Sequence, residues 1–295
     1  MFPEATISAA VQHAVEEYPN ESCGFVIDGQ YHRFANVSKK PESAFEIDPV
    51  DWVTAELTGT IEAVIHSHPD GPACPTAADM KSQVSTGVPW GIIVSSSEGA
   101  KDVFWFGDQV PIDMGSTGTP PLVGRGFRHA VTDCYDCIRD WYRLNTSLVL
   151  PNFARDWEWW LPAVEYQGEI IDRVAYNETM RWSHDGREFT YEGRVDEPVE
   201  VGKFTLLPPH KLYAENFEEL GFYRISQSEV REGDAFLVAI GSRGNLNHGG
   251  VYVGNGLALH HLTSRKAVDP TRLSKRDPVA RWQRKIDIWL RNDDA

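Results

Sequence analysis

The sequence predicts an α+β protein of two domains, residues 1–106 and 122–295, and three observations predict it. Short runs of alternating apolar residues recur on both sides of residue 107, separated by segments with helical spacing. Residues 107–121, GDQVPIDMGSTGTPP, carry three prolines, two glycines after Gly107 and few apolar side chains, so they form a linker. The length of 295 residues is enough for two domains of ordinary size.

In the first domain, Ile7, Val11, Ala14 and Val15 fall on one stripe of a helix over 3–17, which the Tyr18-Pro19-Asn20 break ends. Two strands, SCGFVID and QYHRFANVS, follow through an Asp28-Gly29 hairpin signal. IEAVIHSHP (61–69) alternates and is rich in Ile and Val, so it forms a strand. Asp70, Gly71, Pro72 and Pro75 then force a loop, and Thr76 caps a helix beginning TAADMKSQ. PWGIIVSSS and KDVFWFG are two further strands about Glu98-Gly99. The outcome is a compact α/β unit with a mostly buried sheet. His13 and His32 are expected to be ordinary surface or satisfied residues.

Residues two apart on a strand share a face, so His66 and His68 project together, and Asp79 lies in the first turn of the helix behind the loop. Two imidazoles and one carboxylate leave a tetrahedral Zn²⁺ one open position for water, as in a catalytic site. Such a water ionises near neutral pH, at about 7. Cys74 in the loop is expected to be a packed thiol, with a soft ligand for the metal as the alternative. His66-Ser67-His68-Pro69, the ten residues from His68 to Asp79, and Thr76 three before Asp79 resemble the signature of the JAMM (MPN) metalloproteases. The upstream glutamate of that signature is Glu21 in PNESCGFVI. The resemblance covers roughly the first 110 residues and implies an α/β sandwich with zinc on His66, His68 and Asp79. It further implies Glu21 as general base and acid, and Thr76 as a polarising hydroxyl.

The second domain has its own centre. In HAVTDCYDCIRDWYRLN (129–145), Ile138, Trp141, Tyr142 and Leu144 have helical spacing, Asp133 is the cap and Cys134 sits at the helix N-terminus. There the helix dipole favours a thiolate. A histidine must be brought to it, and LNHGGVYVGNGLALHHL (246–262) forms two strands about Gly254-Asn255-Gly256 that set His248 beside His260. A register slip of one residue would substitute His261. Cys134 and Cys137 could instead be a redox pair or half of a zinc ribbon, but no thioredoxin-like context and no second CxxC is visible.

Asp133-Cys134, the His248-x-Gly-x-Tyr-x-Gly strand, His260 twelve residues on and the EGDAFLV strand (232–238) resemble the NlpC-type papain-like cysteine peptidases. The resemblance spans roughly 122–265. It implies Cys134 as nucleophile, His248 as base and His260 as the group orienting it, acting on amide bonds of cell-wall peptides next to D-amino acids. Two features depart from it. Tyr135-Asp136-Cys137 replaces the small residues that usually follow the nucleophile. The 113 residues between Cys134 and His248 are about twice the usual gap, which assigns 164–208, with its short alternating pieces, to an inserted β-rich subdomain or lid. His129, His184 and His210 receive no role. The aromatic segments 156–160 and 211–225 are expected to be core or interface, and the basic amphipathic tail 271–291 a terminal strand or helix docking on the second domain.

A net charge of −15 argues against nucleic acid and anionic membranes as partners. No run of 18 apolar residues and no basic, apolar leader is present, so neither stable membrane insertion nor a secretory signal is expected, and synthesis is expected in a cytoplasm. Four cysteines are too few for a disulfide framework. The domain order, with Asp140-Trp141-Tyr142, the Trp159-Trp160 pair, Tyr213-x-Glu-Asn-Phe and Asn247-His248, resembles the tail-tip assembly proteins of lambda-like long-tailed phages, over nearly all of the chain except 164–208. That resemblance implies other tail-tip proteins and peptidoglycan stem peptides as partners. It also implies a place at the tail tip after synthesis in the host cytoplasm, with delivery to the periplasm during genome entry. The activity expected is a cell-wall endopeptidase. A structural tail-tip component, or a processing protease for a tail protein, is the alternative.

Overall fold

A computed structural model describes residues 2–107, 120–175, 179–242, 244–264 and 266–295. Most of the predicted linker, 108–119, lies outside the described residues. The chain forms two compact units, one built mainly from residues before Pro121 and the other mainly from residues after it.

In the first unit α1 (Glu4–Glu17) precedes a hairpin of β1 (Cys23–Ile27) and β2 (Gln30–Phe34), whose turn places Asp28 and Gly29 at positive φ. Then come α2 (Pro49–Thr58), β3 (Ile61–Pro69), α3 (Ala77–Thr86), β4 (Trp90–Ser96), β5 (Gly99–Ala100) and β6 (Phe104–Phe106). The sheet order is β2-β1-β3-β4-β5, with β6 also on β4; β3 runs antiparallel to β1 and parallel to β4. Residues 63–68 of β3 are all buried, because both faces of the sheet are covered. Ala63 and Ile65 pack with Ala10 and Ala14 of α1, while Val64 packs with Phe25, Ala55 and Trp90 on the α2 side. Alternation therefore sends His66 and His68 to the α2 side with Val64.

Two expectations change here. The buried stripe of α1 is Thr6, Ala10, His13 and Ala14, Val11 is only partly buried against it, and Val15 faces outward. His13 is buried and satisfied by Tyr31 Oη at 3.0 Å. Helix α2 is not anticipated from sequence. Its start is well signalled by the Asp48 cap and Pro49, but Val50, Val53 and Leu57 point outward while Ala55 packs inward, which inverts the usual apolar pattern.

The second unit opens with β7 (Gly126–Arg128) and α4 (Cys134–Asn145). Six strands follow: β8 (Ala163–Tyr166), β9 (Glu169–Arg173), β10 (Thr179–His184), β11 (Arg187–Glu192), β12 (Val199–Val201) and β13 (Phe204–Leu207). They make a β10-β11 hairpin and a sheet ordered β12-β13-β8-β9, around a core of Val164, Met180, Trp182, Phe204 and Leu206. After α5 (Leu212–Glu219) come β14 (Tyr223–Ile225), β15 (Ala235–Val238), β16 (His248–Tyr252), β17 (Leu257–His260), β18 (Val268–Leu273), β19 (Lys275–Pro278) and β20 (Ile288–Arg291). The principal sheet is ordered β14-β20-β15-β16-β17-β19, and β18 pairs with β7. Helix α4 packs on one face through Tyr135, Ile138 and Tyr142 against Leu237, Val251 and Leu259. Phe236, Ala258, Trp282 and Trp289 fill the other. The basic tail thus supplies strands, and β20 is an interior strand of this sheet.

Strand β16 carries two glycines where its neighbours crowd it. A Cβ on Gly249 would lie 2.9 Å from the Phe236 carbonyl oxygen and 3.1 Å from Ile138, and one on Gly250 would lie 2.6 Å from the Phe236 ring. Gly250→Ala is expected to lower stability by about 1–3 kcal/mol, as overpacking of a filled site does. Urea denaturation of the full chain measures this, and an unchanged midpoint would mean that the strands can separate to admit a methyl group.

Candidate functional site

The first centre lies where β3 meets the start of α3. His66 Nε2 and His68 Nε2 are 3.0 Å apart, and Asp79 Oδ1 and Oδ2 each lie 3.5 Å from one of them. All three side chains are buried, and their ligand atoms fall within 4.8 Å of one another. Asp79 is in position because Thr76 caps α3. The Thr76 N–H and Oγ1 both donate to Asp79 Oδ2 at 2.8 Å, and the Asp79 N–H returns a bond to Thr76 Oγ1 at 3.1 Å. The Thr76 hydroxyl is therefore occupied with Asp79. His68 Nδ1 donates to the Pro72 carbonyl at 3.1 Å, which leaves the Nε2 lone pair turned to the centre.

This donor set fits a zinc ion. Two imidazole Nε2 atoms face each other inside the protein, where a shared cation would use both lone pairs, and a carboxylate completes three ligands of the borderline type zinc takes. Burial lowers the His66 pKa. His68 is also buried, but Asp79 outweighs that and raises it. Burial would raise Asp79, yet the two imidazoles hold its carboxyl well below the usual range. Glu21 sits two residues before β1 and lines, with His68, Thr76 and Asp79, a cavity of about 410 Å³ walled by Trp52 and Trp90. Burial pushes its carboxyl up to about 7, against the pull of His68. Cys74 is buried and is not in the His66–His68–Asp79 cluster found among the described residues.

The second centre lies at the start of α4. Asp133 is the cap, its carboxylate accepting from the Tyr135 and Asp136 N–H groups, and Cys134 is the first helical residue. Its Sγ lies 3.0 Å from Tyr213 Oη, and the nearby Gly249 amide favours the thiolate. Gly249 follows His248, so β16 brings the histidine strand onto the first turn of α4. Among the described residues no hydrogen bond joins Sγ to the His248 ring. Burial pushes the Cys134 thiol up to about 12, with Asp133 adding to it, while Tyr213 and the Gly249 amide pull it down. Burial, with His260 adding to it, puts the His248 pKa well below its ordinary value. Thiol and imidazole are both neutral in this arrangement.

His248 and His260 lie edge to face with ring centroids 5.4 Å apart, and Trp282 packs against both at 5.3 and 4.8 Å. His261 turns away, its Nε2 donating to the Arg272 carbonyl at 2.8 Å, so the register places His260 beside His248. The bulky residues after Cys134 have buried partners of their own. Tyr135 Oη donates to the Pro151 carbonyl at 2.7 Å, Asp136 meets Arg155 at 3.0 Å, and burial pushes the Cys137 thiol up while the Arg125 charge pulls it down. No disulfide joins Cys134 and Cys137.

Four residues of this centre are not anticipated from sequence: Tyr213, Arg155, Asp277 and Trp282. Tyr213 lies in a segment whose aromatic density signals core, and it is indeed buried, but its hydroxyl reaches the thiol. Arg155 meets Asp133 and Asp136 at 2.9 and 3.0 Å and is itself fully enclosed. Asp277 and Trp282 come from the tail, where nothing local relates them to a histidine two strands away.

The model for prokaryotic homologs of the JAB domain matches residues 3–107, and the NlpC/P60 family model matches residues 118–286, more than half of the chain. The chain is 29% identical over 245 residues to Tail tip assembly protein K of Escherichia phage lambda, covering 82% of this chain and 88% of that relative. It is 27% identical over 263 residues to Tail tip assembly protein K of Escherichia phage N15, covering 88% and 85%. The solution structure of a protein from Desulfitobacterium hafniense, 22% identical, covers 34% of this chain and 87% of that one with a TM-score of 0.27.

Two outcomes are expected. Mass-spectrometric metal analysis of the purified chain should find about one zinc, lost in Asp79→Ala; no zinc in either would remove the metal from this site. Tyr213→Phe deletes a donor that favours the thiolate, so the pH midpoint of Cys134 alkylation should rise with little change in Tm. A midpoint that falls would show that the hydroxyl instead holds the thiol protonated.

Proposed function

The chain belongs to the NlpC/P60 family, and from that premise we propose that it is a phage tail-tip peptidase that opens peptide cross-links of peptidoglycan during genome delivery. The observation that carries this reading is the placement of Cys134 at the start of α4, with its sulfur against the strand that His248 opens. In the proposed reaction His248 takes the thiol proton as Sγ attacks the amide carbon, then returns it to the leaving amine. Water hydrolyses the resulting thioester with the same base. His260 orients His248. The net negative charge suits neither nucleic acid nor an anionic membrane surface, and no helix among the described residues is long and apolar enough to cross a membrane.

The JAB-like domain is proposed as a second hydrolytic centre. Zinc held by His66, His68 and Asp79 would supply Lewis acidity toward an amide carbonyl. Glu21, at the same cavity with a carboxyl near neutrality, accepts and returns a proton. Thr76, committed to Asp79, acts by holding that ligand.

A second reading rests on two observations: the relatives are named for tail tip assembly, and the Cys134 sulfur bonds to Tyr213 while the thiol stays neutral. On this reading the protein is a structural tail-tip component, or a processing protease for a tail protein, with one or both centres silent. Partners are then other tail-tip proteins, and the place of action is the virion tail.

Incubation with purified sacculi separates the readings. The wild-type chain is expected to release soluble muropeptides, and Cys134→Ala to lower that release by roughly a thousandfold or more while remaining folded. Equal release by both proteins, or none by either, favours the assembly reading.

A further inference from the structure

Three polar side chains cross one face of the principal sheet on adjacent strands: His248 on β16, His260 on β17 and Asp277 on β19. Gly250 pairs with His260 and Ala258 pairs with Asp277. Each polar residue therefore stands diagonally from the next, two positions along and on the same side of the pleat. We propose that Asp277 is a positioning residue of the thiol centre, fixing the tautomer of His260 and through it the presentation of His248 to Cys134. The inference rests on the thiol-peptidase reading above.

The atoms fall in an order that supports it. His260 Nε2 lies 3.3 Å from Asp277 Oδ2. An ionised carboxylate only accepts, so His260 carries its proton on Nε2 and a lone pair on Nδ1. Among the described residues, His260 Nδ1 and His248 Nε2 are buried polar atoms with no hydrogen-bond partner. Buried polar atoms seldom stay unpaired, and these two belong to rings already in edge-to-face contact. A ring rotation that brought these two atoms into line would let His248 Nε2–H donate to His260 Nδ1. The remaining lone pair of His248, on Nδ1, is then left free to take up a proton.

The electrostatics follow the same line. When the proton moves from Sγ to His248, the new positive charge is felt through His260 by the Asp277 carboxylate, with water excluded by Trp282 on both rings. Burial opposes protonation of His260, and Asp277 works against that. Asp277 is kept ionised by Lys275 Nζ at 2.9 Å, by His260 and by Arg281 at 3.6 Å, despite its own burial. Lys275 and Arg281 are more than half exposed, so solvent screens them. His261 points to the Arg272 carbonyl and does not compete for Asp277.

Two measurements on the full chain test the proposal. Long-range ¹H–¹⁵N NMR of the wild-type protein should show His260 protonated on Nε2; an Nδ1–H tautomer overturns it without any mutation. The rate of Cys134 alkylation by iodoacetamide, followed on its own peptide by mass spectrometry, is then recorded against pH for Asp277→Asn, Asp277→Glu, His260→Ala and His248→Ala. Asp277→Asn should slow alkylation near neutral pH by about tenfold or more and move the midpoint upward, because the base is weakened. Asp277→Glu should recover most of the loss, with Tm nearly unchanged in both. An Asp277→Asn profile matching wild type while His260→Ala shifts it removes the role of Asp277 and leaves the thiol reading intact. Profiles unmoved in His248→Ala as well defeat the thiol reading itself. Slowing that tracks a lower Tm and is not rescued by Glu marks Asp277 as merely structural and overturns the proposal.

Discussion

Both candidate centres depend on a reciprocal hydrogen-bonded box at the start of a helix. In α3 the box joins Thr76 and Asp79, and in α4 it joins Asp133 and Asp136. Each box uses backbone N–H groups that the first turn would otherwise leave unpaired, so the local stability of the helix and the position of a reactive side chain are one constraint. In α3 the boxed acid is itself the candidate metal ligand. In α4 the boxed acids flank the thiol and are tied down by Arg155, which offsets their charge inside the protein.

Burial gives the two centres opposite electrostatic characters. At the first, two imidazoles and two carboxylates are drawn out of water together, and each shift is set by how a neighbour offsets desolvation. Such a site is short of positive charge, which a divalent cation would supply. At the second, Cys134 and His248 are each enclosed with no strong opposite charge in contact, and desolvation drives both toward neutrality. Forming a thiolate–imidazolium pair there requires groups that favour charge, which is the work open to Tyr213, the Gly249 amide and the acid beyond His260.

The parts of this architecture legible in sequence were those encoded within short segments. H-x-H on a fully buried strand, Thr76 three before Asp79, and Asp133 before Cys134 each signal a site because side-chain spacing and helix capping act over a few residues. A β-rich segment over 164–208 was visible through alternation, though not its six separate strands, and so were the hairpin turns at Asp28-Gly29 and Gly254-Asn255-Gly256. Helix α2 was hidden because its apolar side chains face outward. Tyr213, Arg155, Asp277 and Trp282 were hidden for a different reason. Their partners lie 79, 22, 17 and 22 residues away along the chain, and only pairing of strands and closure of the core relate them.

Strand β20 lies between β14 and β15, although it is made some fifty residues after β15. During translation the sheet that supports His248 therefore stays open until the segment ending at Arg291 has left the ribosome. Nascent chains hold Cys134 and both histidines before they hold the strand that completes this sheet. Any premature stop within the tail yields a chain in which the sheet cannot close.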